Sequence, residues 1–142
     1  MITLVFDEPL KFSAAHYIVN HETCGCIHGH TFFIKDLVFE FSDDAKLNEQ
    51  GILIDFGKIK DYVKRWDHKF IVPVVHQMFW DALYKTTNMP VKYNLLYVQK
   101  TSCESMAKDI KYDLEELAMK ESGEKVAVHF RLCEGPGQGV KV

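Results

Sequence analysis

The sequence predicts an α+β fold: an antiparallel four-stranded sheet with helices on one face. Aromatic and β-branched runs, ended by polar turns, read as strands. Two segments with apolar residues at helical spacing read as helices, one opening at Asp55 and one near Thr101. Their order, strand, strand, helix, strand, helix, strand, suits an antiparallel sheet better than a parallel one. At 142 residues, 47% hydrophobic and 13% aromatic, the chain is long enough to bury a core as a single domain over 1–142. A four-stranded sheet with its other face bare would need a partner, so a homo-oligomer is expected.

The first strand runs from ITLVF onward to FSAAH, where Phe12, Ala14 and His16 share a parity and therefore a face. The polar loop YIVNHET leads into CGCIHGH. HTFFIKDLVFEF follows as a strand, closed by SDDAKLNEQG. Asp55 is placed to cap a helix over 56–66 whose apolar residues are Phe56, Ile59, Tyr62, Val63 and Trp66. From Asp67 to Pro90 no period dominates, although MFWDALYK reads as a short helix. YNLLYVQ is a third strand. Thr101 and Glu104 form a T-x-x-E capping box for a helix with Met106, Ile110, Leu114 and Leu117 on one face. VAVHFRLCE is the last strand.

A formal charge of -3, with no block of Lys or Arg, argues against a nucleic-acid partner. A local basic pocket for a phosphorylated small molecule fits the same composition. No apolar run reaches the length of a membrane span, and MITLVFDEPLKFSAAH lacks the basic start and long apolar core of a signal peptide. A soluble, cytoplasmic protein without a membrane partner is the expectation. In that setting Cys24, Cys26, Cys103 and Cys133 read as thiols or ligands rather than disulfides.

The chemistry concentrates in CGCIHGH. His28 and His30 lie two apart in a strand, so both imidazoles point to one face, and antiparallel pairing brings His16 across from them. Three neutral imidazoles from two strands suit Zn²⁺ with a fourth position open, as a Lewis acid requires. A closed structural site of Cys24, Cys26, His28 and His30 is the competing arrangement. It sits badly on a strand, because four side chains would have to wrap one ion without a turn. Core histidines without a metal are the bland reading, and the least favoured, because an H-G-H pair with a preceding His is not common by accident. Cys24, four residues before His28, is near enough to act as base or nucleophile without binding the ion.

FSAAH, C-G-x-x-H-G-H, the later DHKF and the terminal C-E-G-P together resemble the 6-pyruvoyl-tetrahydropterin synthase and 6-carboxy-tetrahydropterin synthase family, over most of the chain. The resemblance implies the tunnelling fold (T-fold), with sheets joined into an oligomeric barrel. It also implies a zinc held by His16, His28 and His30, a catalytic Cys24 and a proton-transfer pair, Asp67 and His68. Glu134, in RLCEGPG, matches the carboxylate that anchors the pterin, and Glu104 matches a recurring T-x-x-E segment less firmly. By themselves, Asp67 and His68 also read as polar residues ending a helix, Glu134 as an exposed strand end, and Glu104 as part of the cap.

The implied substrate is 7,8-dihydroneopterin triphosphate. The implied product is either 6-carboxy-tetrahydropterin with acetaldehyde, on the 7-deazaguanine (queuosine or archaeosine) branch, or 6-pyruvoyl-tetrahydropterin. The compact C-x-x-x-H-G-H spacing resembles the carboxy branch. A non-catalytic zinc- and pterin-binding relative and a small structural zinc protein are the other readings. The family implies rings, commonly hexamers, with active sites between subunits. Residues 71–92 look like an insertion, and Lys35, Lys58 and Lys69 are placed as triphosphate candidates.

Overall fold

A computed structural model describes residues 1–87 and 94–142. Its strands are β1 (Ile2–Val5), β2 (Leu10–His16), β3 (His28–Phe41), β4 (Lys69–Pro73), β5 (Leu95–Val98), β6 (Val126–Glu134) and β7 (Gly139–Lys141). The helices are α1 (Phe56–Lys64), α2 (Gln77–Thr87) and α3 (Cys103–Ser122). Among the described residues the strands form one seven-stranded sheet in the order β5-β4-β2-β3-β6-β7, with β1 also on β3. No helix of the described residues is long and apolar enough to cross a membrane.

The α+β class holds, but the sheet is larger than the four strands expected and is not wholly antiparallel. The expected first strand is two: β1 and β2 lie end to end along one edge of β3. β4 and β7 were not anticipated, and β4 runs parallel to both β2 and β5. KFIVP gives no alternating signal because Ile71 and Val72, pointing to opposite faces, are both fully buried. β5 is shorter than YNLLYVQ, whose Tyr93 lies outside the described residues, as do 88–92 of the expected insertion.

The core lies on one face of the sheet. Phe12 and Ala14 of β2, Phe32 and Ile34 of β3, and Val128, Phe130 and Leu132 of β6 are buried there. A bulge between Lys35 and Val38 shifts the β3–β6 register, with Asp36 at a φ of 53°. It changes the parity, so Leu37, Phe39 and Phe41 rejoin the same core.

Over this face pack α1, through Ile59, Tyr62 and Val63, and α3, through Met106, Ala107, Ile110, Leu114 and Ala118. Asp55 caps α1 as expected, its Oδ1 accepting from Gly57 N–H at 2.8 Å. The cap of α3 differs from the expected box: Ser102 Oγ accepts from Ser105 N–H at 3.2 Å. The Thr101 hydroxyl is committed elsewhere, donating to the Tyr17 carbonyl at 2.5 Å. Thr101 and Glu104 therefore form no capping box.

MFWDALYK does lie in a helix, the longer α2, but on the opposite face of the sheet from α1 and α3. In the β4–β5 register Ile71, Leu96 and Val98 face the core, which leaves Phe70 and Tyr97 on the other side. There the Trp80 ring meets Phe70 edge-on with centroids 4.7 Å apart, and Tyr97 bonds Asp81 of α2. Parallel neighbours need a crossover, and this one carries its helix to the second face. The helices do not share one face.

Leu114 is fully buried at the centre of α3. Leu114→Ala should cost about 2–5 kcal/mol of stability, read as a lower urea midpoint with the slope unchanged.

Candidate functional site

His16 ends β2 and His28 opens β3 directly opposite it, with Ala14 opposite His30. The pleat sends all three imidazoles to the face that carries Phe12, Phe32 and Ile34, at the end of the sheet where the apolar stripe stops. The ring centroids of His16 lie 4.6 Å from His28 and 5.2 Å from His30, and His28 and His30 are 4.9 Å apart. One nitrogen from each lies within 4.8 Å of the others. The three expected ligands converge.

Their outer nitrogens explain how they are aimed. His16 Nδ1 is 2.8 Å from the Thr101 carbonyl oxygen, and His28 Nδ1 is 2.6 Å from that of Cys26. A nitrogen facing a carbonyl must carry the proton, so both rings turn a bare Nε2 inward. Burial lowers the pKa of His16, and His28 and His30 lower it further against the opposing pull of the Thr101 bond and Glu134. Its Nε2 is buried without a hydrogen-bond partner among the described residues. Such an orphaned acceptor costs roughly 1–3 kcal/mol, and a metal ion would take its lone pair. The donor set thus fits a metal, with all-nitrogen ligands and room on one side.

The closed four-ligand site is not assembled. Neither Cys24 nor Cys26 brings its sulfur into the converging set. Cys24 is half-buried in the loop between β2 and β3, where its N–H donates to His21 Nδ1 at 2.9 Å and its carbonyl accepts from Ile18 N–H at 2.7 Å. Gly25 donates to the His21 carbonyl at 3.0 Å, and a Cβ there would collide with that oxygen. Only glycine permits this turn.

Glu134 shares the histidine face, since it pairs with Phe32, and its Oε1 lies 4.0 Å from His16 Nε2. Glu104 is exposed on the first turn of α3. Asp67 and His68 form a pair, His68 Nδ1 to Asp67 Oδ2 at 2.8 Å. The turn clamps both backbone groups of Ser13: Asp67 Oδ1 accepts from its N–H at 2.8 Å and His68 N–H donates to its carbonyl at 2.7 Å. The Ser13 bond is the main cause holding the Asp67 carboxyl below its usual range. His68 lines a depression with Ser13, Ala14, Ala15, Gly29, His30 and Thr31. Neither member of the pair joins the converging set of His16, His28 and His30.

The remaining candidates separate by environment. Cys103 and Cys133 are buried, and burial pushes the Cys103 thiol up to about 12, so it stays protonated. Lys58 is paired with Glu121, and Lys35 lies 5.6 Å from the Phe33 ring centre. Lys69 lines the same depression as His68. Sequence reasoning missed Thr101 as the orienting group of His16, 85 residues away, a distance at which no spacing rule applies. It also missed the hydrogen-bonded group of Tyr17, His76 and Trp80, although Tyr17 directly follows His16.

The family model described as 6-pyruvoyl tetrahydropterin synthase matches residues 7–142. A Methanocaldococcus jannaschii protein is 38% identical over 73 residues, 48% of this chain and 42% of its own length. A Rickettsia felis protein named 6-carboxy-5,6,7,8-tetrahydropterin synthase is 37% identical over 69 residues, 44% of this chain and 47% of its own. The matched part spans about half the length of these curated relatives. The solved structure of Plasmodium falciparum 6-pyruvoyl tetrahydropterin synthase superposes with a TM-score of 0.63 at 19% identity, covering 99% of this chain and 94% of that one. The fold is the T-fold of that enzyme.

Two outcomes check the site. His28→Ala should lose bound metal by elemental analysis, whereas Cys24→Ala should keep it, since the thiol stands outside the ligand set. Asp67→Asn should reduce stability at pH 7. Because the folded carboxyl titrates below its unfolded value, the wild-type advantage should shrink as pH falls through that lowered pKa, in denaturation curves at stepped pH.

Proposed function

The chain belongs to the 6-pyruvoyl tetrahydropterin synthase family, and from that membership and the geometry of its histidines we propose a zinc-dependent lyase acting on 7,8-dihydroneopterin triphosphate. The products are triphosphate, 6-carboxy-5,6,7,8-tetrahydropterin and acetaldehyde, with water consumed, on the 7-deazaguanine branch. One observation carries the reading: three imidazoles converge on a buried, unpartnered His16 Nε2 while a thiol four residues before His28 stays outside the set. A structural zinc knot would need that thiol inside. The Rickettsia felis relative and the Cys24–His28 spacing support the carboxy branch.

His16, His28 and His30 would hold the metal, which when bound supplies Lewis acidity towards the side-chain hydroxyls of the substrate. Cys24 is assigned as the base that takes the proton from the adjacent C–H. Glu134, on the rim beside His16, would accept paired hydrogen bonds from the pterin ring N–H and amino group. Glu104 is assigned at most an outer contact. Asp67 and His68 are assigned proton transfer, with Asp67 orienting the imidazole. Since the pair stands outside its own chain's histidine set, it would serve the site of a neighbouring copy. A homo-oligomeric barrel, a hexamer with active sites between subunits, is the assembly proposed for this cytoplasmic protein.

Zinc-loaded protein given 7,8-dihydroneopterin triphosphate should release acetaldehyde and 6-carboxy-tetrahydropterin, identified by mass. A 6-pyruvoyl product without acetaldehyde would assign the other branch, and no turnover with zinc in place would overturn the reading. Cys24→Ala should lower kcat by about 10²–10⁴-fold with zinc content unchanged.

A further inference from the structure

The segment from Val74 to Thr87, a short 3₁₀ turn followed by α2, has no part in the metal set, yet it reaches the start of the loop that carries Cys24. Tyr17, the residue after His16, is buried. Its hydroxyl lies 2.7 Å from His76 Nδ1 and 2.8 Å from Trp80 Nε1. An indole nitrogen can only donate. The phenol oxygen therefore accepts from Trp80 and gives its single proton to His76, so each of the three groups has one consistent role. The Tyr17 and His76 rings stack, 13° from parallel with centroids 5.8 Å apart, and Trp80 rests on Phe70.

The main chain of Tyr17 continues the path. Its carbonyl accepts from the Thr101 hydroxyl at 2.5 Å, and the Thr101 carbonyl accepts from His16 Nδ1 at 2.8 Å. One residue on, Ile18 N–H bonds the Cys24 carbonyl at 2.7 Å and closes the loop on itself. The far limb of the loop, at Gly25 and Ile27, then faces His76, Phe79 and Trp80 across a cavity of about 470 Å³. The loop is held by these internal bonds and at its entry by Tyr17.

We propose that His76 and Trp80 are positioning residues: through the Tyr17 hydroxyl they help fix the loop that carries Cys24 and leads into His28 and His30. The proposal rests on reading Cys24 as the working base. A misplacement of about 1 Å in such a group costs on the order of 10²-fold in rate, which gives the clamp its value. An apolar contact would anchor the loop as firmly. A phenol held by one donor and one acceptor also fixes its rotation, because turning it breaks both bonds.

The test uses the zinc-loaded full chain and the rate of Cys24 alkylation by iodoacetamide, followed by peptide mass mapping. Zinc content and far-UV circular dichroism are recorded alongside. Tyr17→Phe keeps the ring and removes both bonds; His76→Ala removes one. Both should raise Cys24 alkylation several-fold with zinc and helix content unchanged. His76→Asn, which puts an amide oxygen near the place of Nδ1, should return the rate towards wild type, and Trp80→Phe should raise it less than Tyr17→Phe. In turnover, Tyr17→Phe should lower kcat with little change in KM. An unchanged alkylation rate in folded, zinc-loaded Tyr17→Phe and Trp80→Phe would overturn the proposal, as would His76→Asn behaving like His76→Ala. Alkylation needs no turnover, so failure of the clamp and failure of the proposed reaction are told apart.

Discussion

The pairing of β2 with β3 is the constraint on which the rest depends. It sets His16 opposite His28 and Ala14 opposite His30. The same register stacks Phe12 on Phe32, with centroids 4.9 Å apart and rings 14° from parallel. A one-residue slip would turn one strand's set to the outward face. Full burial of a side chain such as Phe or Ile is worth roughly 1.5–3 kcal/mol, so expelling Phe32 and Ile34 together would cost a large share of a domain's stability. The histidines are held in place by the phenylalanines next to them. Core and site are two stretches of one stripe.

That stripe would fail halfway along β3 without the bulge. Fourteen residues of uninterrupted pleat would send Leu37, Phe39 and Phe41 away from the face that holds Phe32 and Ile34. The extra residue at Asp36 restores them, tied on one side by Arg131, whose Nε donates to Asp36 Oδ2 at 2.7 Å. One strand can thus present the converging histidines at its start and core at its end. At the ligand end the cover changes from helix side chains to the main chain entering α3, and Thr101 supplies the carbonyl that orients His16.

What the sequence revealed follows from how local each signal is. β6 and the Asp55 cap depend on neighbouring residues, and both lie where the pattern put them. The histidine set was legible because parity within a strand and pairing between two adjacent strands suffice to bring it together. The capping box failed because Thr101 and Ser102 are both good caps, and the choice was made by Tyr17, 84 residues away in sequence. β4 was hidden because burial from both sides erases alternation. The side taken by α2 was equally unreadable: it follows from β4 and β5 being parallel neighbours, a pairing that no window of sequence contains.

The cysteines show the same dependence in the chemistry. Cys103 and Cys24 are the same residue type, but Cys103 lies under the sheet with its thiol on the Leu132 carbonyl at 3.4 Å. Burial holds it protonated and inert. Cys24 is placed by main-chain bonds instead, on a turn that closes tightly at Gly25, where His21 O leaves no room for a Cβ. Its backbone is thus fixed, and its sulfur stands outside the histidine set. Under the zinc reading, a sulfur inside that set would close the fourth position, since soft sulfur binds zinc well. On the same reading Cys24, kept outside the set, leaves that position open.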